Sequence, residues 1–419
     1  MQLRLRRSSS HVLLALSMSA LFAAPSAFAD VGTFETTHTL YHEAPLRSNM
    51  TVYSPSVDAT VSPTSAVEIK GGWEADIVSG ASVAVKAGSA YQATNPGVDV
   101  ITTASVKDVR NVGRGGVRLS HNTTQLALNY SYSTENDYKS HSFDVAARSD
   151  FFDRNTNFEI SYARNFDKVC DRVQGVNDPA ARFRSLENSD GCFAESPLRI
   201  TRPFVSDNFQ VTWSQSWTPI FVTQVVGSLQ IGNGFQSNPY RSVVLGEGIK
   251  AQEHHPENRA RGSGGLRLNL FIKPIKSAAR LFGRAYADTW SVKSATVELE
   301  FEKYFGESFL AMLRGRFYKQ SGALFFSDDY SGGARPLGPK GQYFTGDREL
   351  SPFFSVTLGG RLMLQFRGEE KKLLGFLDSL KVSASFDMVH FSYDEFTLGG
   401  APITNARAWI GGAAVNAAF

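Results

Sequence analysis

Two rows of opposite charge follow one another in the chain at a spacing that permits ion pairing. Glu298, Glu300 and Glu302 come first, and Arg314 and Arg316 follow after a short turn. Carboxylates and guanidinium groups that face each other on neighbouring strands form cross-strand ion pairs. Where such rows line a pore, they create an electric field that discriminates between charged solutes. The chemistry predicted here is therefore ion pairing, solute selection, or both.

The residues between these charges are apolar, and their spacing predicts the element that positions them. Val297, Leu299 and Phe301 alternate with the three glutamates, and Leu313 and Phe317 alternate with the arginines. A period of two indicates a β-strand, since successive side chains point to opposite faces. The segment is thus predicted to be an antiparallel hairpin with one apolar and one charged face. In a soluble sandwich the charged face meets water, whereas in an outer-membrane barrel it faces the lumen.

Similar alternation recurs along the chain and favours the barrel. About sixteen segments of roughly ten residues alternate, and ten residues is the length that a tilted membrane-spanning strand needs. Short turns alternate with longer connections, the longest being 78–107, 167–205, 232–259 and 322–349. These four connections fall on the extracellular side if the first strand starts in the periplasm. We predict an all-β protein, a transmembrane antiparallel β-barrel of about sixteen strands, with fourteen as the alternative if the first hairpin packs inside.

The alternation also assigns further charges to the face that would line the lumen. The predicted inward-facing set comprises Arg267, Arg280, Arg284, Glu298, Glu300, Glu302, Arg314, Arg316 and Arg361. Two roles remain open for this set. Salt-bridge ladders would fill and stiffen the lumen, whereas a charged filter would select among solutes.

The N-terminal segment has the three parts of an export signal. Three arginines among the first seven residues precede an apolar run at 12–24, and Ala27 and Ala29 form a small-x-small cleavage site. Residues 1–29 are therefore predicted to be a signal peptide, and 30–419 a single barrel domain in the bacterial outer membrane. Outer-membrane lipid and lipopolysaccharide are the partners that this location implies.

The chain ends on Phe419, with Val415 and Ala417 on the same face of the last predicted strand. A terminal aromatic residue on an alternating strand resembles the signal that the barrel-assembly machinery reads, so we expect that machinery as a partner. Aromatic residues near strand ends suit the two interfacial girdles of a barrel. These candidates are Tyr132, Trp217, Trp290, Tyr304 and Trp409. The formal charge of +3 is too small and too scattered to predict nucleic-acid binding.

Two cysteines, Cys170 and Cys192, both lie in the long connection 167–205. An exported protein meets an oxidising compartment, in which two cysteines most simply form one disulfide. This bond would close a loop of about twenty residues and restrict an extracellular segment. A metal site would need further ligands nearby, and the segment contains no histidine.

Neither a metal site nor a catalytic centre is predicted, and no cofactor is expected. His38 and His42 share one face of a predicted strand and suit either a metal contact or polar lumen positions. A hydrolase at the barrel rim is a distant alternative. His390 has Asp387 and Asp394 close in sequence, but no serine-centred motif accompanies it.

Four short motifs resemble a family of bacterial outer-membrane barrels, the domain-of-unknown-function family 3570. They include a Tyr-x-Glu, an Asp-x-Val-Ser-Gly-Ala-Ser run, a basic strand start at 108–110 and a Tyr-Ser-x-Glu-x-Asp-Tyr run. The residues that carry the likeness are Tyr41, Glu43, Asp76, Ser79, Gly80, Ser82, Glu135, Asp137 and Tyr138. The resemblance implies an outer-membrane location and supplies no activity. The second and fourth motifs are expected at outer strand ends, as a rim anchor or as a ligand or partner site.

The leading functional hypothesis is a channel or transporter for a small solute. It depends on the size of the barrel, its charged inward face and the long outer loops that would constrict it. The competing class is a plugged, non-transporting barrel that acts as a scaffold or assembly partner.

Overall fold

The computed structural model describes residues 32–44, 50–79, 107–135, 137–172, 199–238, 242–244, 250–328, 330, 338, 341–368, 372–398 and 401–419. The predicted signal peptide, Gly80, Ser82 and Cys192 lie outside these residues, so the predictions made for them stay predictions. Within the described parts of the chain, no helix is long and apolar enough to cross a membrane.

Twenty strands, numbered in chain order, account for most of the described chain. They are β1 (Gly32–Ala44), β2 (Met50–Thr64), β3 (Val67–Ser79), β4 (Lys107–His121), β5 (Thr124–Thr134), β6 (Tyr138–Phe151), β7 (Thr156–Arg172), β8 (Arg199–Thr218), β9 (Phe221–Gly234), β10 (Ser242–Val244), β11 (Lys250–Gln252), β12 (Asn258–Ile272), β13 (Ser277–Asp288), β14 (Lys293–Phe305), β15 (Phe309–Gln320), β16 (Phe353–Arg367), β17 (Ser379–Tyr393), β18 (Thr397–Leu398), β19 (Ala401–Pro402) and β20 (Asn405–Ala418).

Sixteen of these strands form one closed antiparallel barrel, in which each strand pairs with its neighbours in sequence. The two remaining pairs, β10–β11 and β18–β19, are small hairpins within connections. β1 closes the barrel by pairing with β20, where Phe34 lies opposite Ala417. The fourteen-strand alternative is wrong because β1 and β2 are part of the wall. Their backbone hydrogen bonds complete the ring and leave no open edge.

The two faces of the wall have opposite chemistry, as the alternation predicts. Leu313 and Leu299 point outward and are 70% and 57% exposed, whereas the inward Glu302 is 3% exposed. Large apolar side chains are exposed on the outer face of nearly every barrel strand. Such a belt is stable against lipid and unfavourable in water. The soluble-sandwich alternative therefore does not fit this fold.

The short turns share one end of the barrel with the start of β1 and the end of β20, where the Gly32 and Phe419 backbones exchange hydrogen bonds of 2.8 and 3.0 Å. We call this the inner end and the opposite end, with the long connections, the outer end. Short turns lie in the periplasm in barrels of this type.

One predicted connection, 167–205, is too long. β7 continues to Arg172 and β8 begins at Arg199, so the two strands run 17 and 20 residues. A membrane-spanning strand needs only about ten residues, so both strands extend beyond the membrane at the outer end. Their extensions lack the apolar alternation that lipid imposes, so the sequence alone predicts a loop there. The other three long connections start and end within a few residues of the prediction.

Candidate functional site

The predicted charge rows meet at the inner half of the lumen wall between β13 and β16. Arg280 contacts Glu302 at 2.7 Å and Glu300 at 3.2 Å, and Arg361 approaches Glu302 to 3.5 Å. Glu302 is thus buried between two guanidinium groups. This arrangement balances charge among β13, β14 and β16 and holds their side chains in place.

Arg314 pairs with a carboxylate that the sequence analysis did not assign to the charge rows. The hairpin register places Arg314 opposite Glu300. Its guanidinium instead reaches across β16 to Asp387 on β17, with contacts of 2.7 and 2.6 Å. Gly359 lies between the two residues in the register, and a Cβ there would overlap the Asp387 carboxylate. A glycine at an inward-facing position between an arginine and an aspartate is therefore the sequence feature that could have indicated this pair.

The same device operates at a second place in the ring, on the far side of the β20–β1 closure. Arg114 on β4 reaches across Gly72 on β3 to contact Asp58 on β2 at 2.5 Å, and it also contacts Glu74 at 3.0 Å. A Cβ at Gly72 would overlap the Asp58 carboxylate and lie 2.9 Å from Arg114 Nε. Two inward-facing positions closer to the inner end, Arg118 pairs with a carboxylate on β3 at 2.8 Å. We call the lumen face of β2–β4 the paired wall.

Four other lumen arginines have no carboxylate within 4.0 Å among the described residues. They are Arg261, Arg267, Arg284 and Arg316. Arg267, Arg284 and Arg316 are exposed within the lumen. Arg261 is missing from the predicted set of lumen charges. It lies on the same face of β12 as Arg267, so the alternation of apolar and polar residues could have identified it. We call the part of the lumen face of β8, β9, β12 and β13 that lies between the Arg259–Asp288 and Arg280–Glu302 ion pairs the open wall.

At the outer end, the connection between β15 and β16 contacts inward-facing residues of the barrel wall. Arg348 donates to Glu43 on β1 through both terminal guanidinium nitrogens, and Tyr41 donates to the same carboxylate at 2.9 Å. Gln320 on β15 donates to the backbone carbonyls of Glu349 and Ser351 at 2.9 and 2.7 Å. This segment is therefore tethered to two parts of the ring.

Nearby negative charge and burial at this tether shift the pKa of Arg348 in opposite directions. Burial is the largest single influence and lowers the pKa of its guanidinium. The hydrogen bonds to Glu43, together with the charges of Glu43, Tyr393 and Glu349, outweigh burial, so the pKa lies above the ordinary value for arginine. Glu43 is 3% exposed. A buried carboxylate is tolerated when a fixed cation and a hydroxyl donor satisfy it. The Tyr-x-Glu motif thus has a visible structural role.

Two outer connections form a small core of their own. His255, before β12, packs on Trp290 and Phe325 at ring distances of 5.2 and 5.4 Å. Thr345 donates to the buried Glu253 carboxylate at 2.8 Å, and burial raises the pKa of the neighbouring Tyr330 to about 12. The girdle prediction for Trp290 is therefore wrong. Its ring is buried among loop residues because it lies on the turn that these connections cover.

Arg110 brings the second and fourth family-like motifs together. It contacts Asp76 at 2.9 Å and Glu135 at 3.8 Å. The next two motif residues continue the network: the Asp137 carbonyl accepts from the Cys170 backbone at 2.7 Å, and the Tyr138 hydroxyl donates to a carboxylate on β7 at 2.5 Å. Ser79 is the last residue of β3. The motifs thus join neighbouring strands near the outer end.

The remaining candidates are not brought together. Asp387 faces the lumen, whereas His390, three residues later on the same strand, points to the outer face, so these two side chains do not meet. His38 and His42 also lie on the outer face, stacked on Tyr53 and Trp409. No group of three metal-ligating side chains occurs in the described part of the chain. Cys170 is buried in β7, and the disulfide stays a prediction because Cys192 is outside the described residues.

A closed barrel with an apolar belt and a charged lumen defines a transmembrane β-barrel of the outer-membrane type. Residues 7–377 match the model of a family described as "Protein of unknown function (DUF3570)", and the chain belongs to that family. The likeness inferred from the four motifs is thereby confirmed. No curated protein matches the sequence.

Solved structures with similar folds are outer-membrane barrels of very different sequence. A bacterial polysaccharide outer membrane secretin is 8% identical with a TM-score of 0.50, and the match covers 93% of this chain and 99% of that one. OccK2 (OpdF) of Pseudomonas aeruginosa is 7% identical with a TM-score of 0.42, covering 93% and 98% of the two chains. At such identities the likeness shows the barrel fold alone.

Proposed function

We propose that this protein is a constricted channel that passes a small polar solute across the outer membrane. The observation that carries the proposal is the exposure of Arg267, Arg284 and Arg316 inside the barrel. A charged group without an ion-pair partner is strongly unfavourable away from water. Exposed lumen arginines therefore favour a water-filled interior over a plugged one.

The tethered connection between β15 and β16 supports a constriction in that channel. Its residues 348–351 lie against Glu43, Gln320 and Tyr393, which belong to three separate strands of the ring. Such a segment reduces the opening while leaving the rest of the lumen wall free for solute. Selectivity would then come from the charged wall below it.

Single-channel recording in planar lipid bilayers tests this function. We expect wild-type protein to give steady open conductance steps. Replacing two of the exposed lumen arginines, as Arg284→Gln with Arg316→Gln, should lower the anion selectivity of the current. Correct folding of both proteins is checked by the faster gel migration of an unheated barrel. A correctly folded wild-type barrel that passes no current would contradict the proposal and favour the scaffold alternative.

We also propose that export uses the predicted signal peptide at residues 1–29. Insertion into the outer membrane would use the terminal Phe419 as the signal for the assembly machinery. The pairing of Phe419 with Gly32 leaves the last strand ordered up to the terminal residue. Recognition of that strand by the assembly machinery is compatible with its position at the inner end.

A further inference from the structure

The open wall contains a recess of about 330 Å³ that none of the predicted site residues except Arg284 enters. Polar side chains dominate its lumen-facing lining. Those used below are Asn208, Ser228, Gln230, Arg261, Ser263 and Arg284. A recess of this size lies at the lower end of the range for small-molecule sites and holds a solute of monosaccharide size.

Each arginine in the recess is oriented by neutral neighbours. Arg261 donates to the Gln230 side-chain oxygen, and the Gln230 amide donates to Asn208 at 2.6 Å. Arg284 donates to Ser263 at 3.0 Å, and Ser263 shares a hydrogen bond of 2.7 Å with the hydroxyl on β9. A guanidinium carries five N–H donors. One donor on each arginine therefore fixes its position, and the described contacts leave the others available to a solute.

The positive charge of the recess is not neutralised by protein carboxylates. The carboxylate opposite Arg261 in the register is Asp288. It is already bound by Arg259 at 2.9 Å and by the Tyr286 hydroxyl at 2.7 Å. Its side chain is fully buried. The recess therefore presents two arginines whose compensating charge must come from the solution.

Further arginines face the lumen between the recess and the inner end of the barrel. Arg284 lies opposite Gly265 in the register, and Arg267 follows one step further inward on β12. Consecutive inward-facing positions on a strand are about 7 Å apart. Arg316 lies at the level of Arg267, with Phe282 and Glu298 between them. An anion that leaves the recess would thus meet another cation within a short distance.

We propose that the recess binds a small organic anion that carries one carboxylate and several hydroxyl groups, such as a sugar acid. Arg261 and Arg284 would bind the carboxylate, since the planar guanidinium matches its two oxygens. Asn208, Ser228 and Gln230 both donate and accept, as hydroxyl groups require. The inference deepens the proposed channel function by naming its solute class, and it depends on that function only for passage, not for binding.

Equilibrium binding to the full-length mature barrel in detergent tests the inference, with gluconate as the probe. Titration calorimetry should show gluconate binding by wild type, with glucose at least about tenfold weaker because it lacks the carboxylate. Arg284→Gln should weaken gluconate binding about tenfold or more. The control is Arg118→Gln, which removes the same charge from the paired wall and should leave the affinity within about twofold.

Several results would overturn the inference. Equal affinity for gluconate and glucose would exclude an anion site, and an equal loss in Arg118→Gln would mean that only the overall field matters. Tighter binding of inorganic phosphate than of gluconate would replace the hydroxylated carboxylate by a bare oxyanion. If Arg284→Gln does not fold, Arg284→Lys decides the same question: it keeps the charge but loses the planar fork, and unchanged affinity would contradict the proposed contact.

The binding and conductance results separate the two proposals. Gluconate binding by a barrel that passes no current would overturn the channel and leave the anion site. Open conductance without gluconate binding would overturn the anion site and leave the channel.

Discussion

The paired wall and the open wall use the same residue type in the same lumen for different purposes. On the paired wall, Arg110, Arg114 and Arg118 each contact at least one carboxylate. On the open wall, Arg261 and Arg284 contact only neutral oxygen atoms. A bound carboxylate neutralises a guanidinium and occupies its donors, whereas a neutral acceptor orients it and leaves its charge available. The partner, rather than the arginine, therefore separates structural from solute-facing positions.

Glycine is what permits the long-range pairs. Gly72 and Gly359 each lie on the strand between an arginine and an aspartate, and each would place a Cβ into the aspartate carboxylate if substituted. Without a side chain on the middle strand, the guanidinium can cross about two strand spacings, close to 10 Å. The two triads, Asp58–Gly72–Arg114 and Arg314–Gly359–Asp387, thus stabilise distant parts of the ring in the same way.

The largest expected effect is on stability and concerns β15. This strand carries an arginine that is paired with a carboxylate and, two residues later, one without a carboxylate within 4.0 Å among the described residues. Arg314→Gln leaves the buried Asp387 without its cation and should lower the free energy of unfolding by about 2–3 kcal/mol. Arg316→Gln, its matched control, should change stability by less than about 0.5 kcal/mol. Urea unfolding in lipid vesicles, followed by tryptophan fluorescence, measures both. Equal effects of the two substitutions would remove the distinction on which the comparison depends.

Most of the fold could be predicted because lipid imposes a strict rule on sequence. Outward positions such as Leu299 and Leu313 must be apolar, so alternation reveals both the strand and its facing. The rule ends where the membrane ends. The last residues of β7, up to Arg172, and the first residues of β8, from Arg199, carry no such pattern, so their sequence predicts a loop.

The site was only partly predictable because alternation gives the face of a residue and not its partner. Parity placed Arg314 and Glu300 together, but the actual partner is Asp387, two strands away across Gly359. The tether between Arg348 and Glu43 joins residues at opposite ends of the chain. No local pattern encodes such a contact, since it depends on how the barrel closes.

A smaller effect is expected at the glycine of the paired wall. Gly72→Ala introduces a Cβ into the Asp58 carboxylate and toward Arg114, and should lower the free energy of unfolding by about 1–2 kcal/mol. Gly283→Ala is the matched control, because no atom lies within 4 Å of the added Cβ. Alanine should be neutral or slightly stabilising there. The same urea titration compares them, and a neutral Gly72→Ala would mean that the triad adapts without loss.

The smallest effect concerns the electric field of the open wall. Arg267→Gln should lower the anion-to-cation permeability ratio of the open channel by about twofold, since an exposed charge in a wet pore acts through screened Coulomb interactions. Arg267→Lys should retain the wild-type ratio, because charge and not fork geometry sets the field. The double variant Glu68→Gln with Arg118→Gln removes a neutralised pair and should also retain the wild-type ratio. Reversal potentials in a salt gradient measure all three variants. If the double variant shifts the ratio as much as Arg267→Gln does, the paired wall also acts on solutes and the two walls are functionally equivalent.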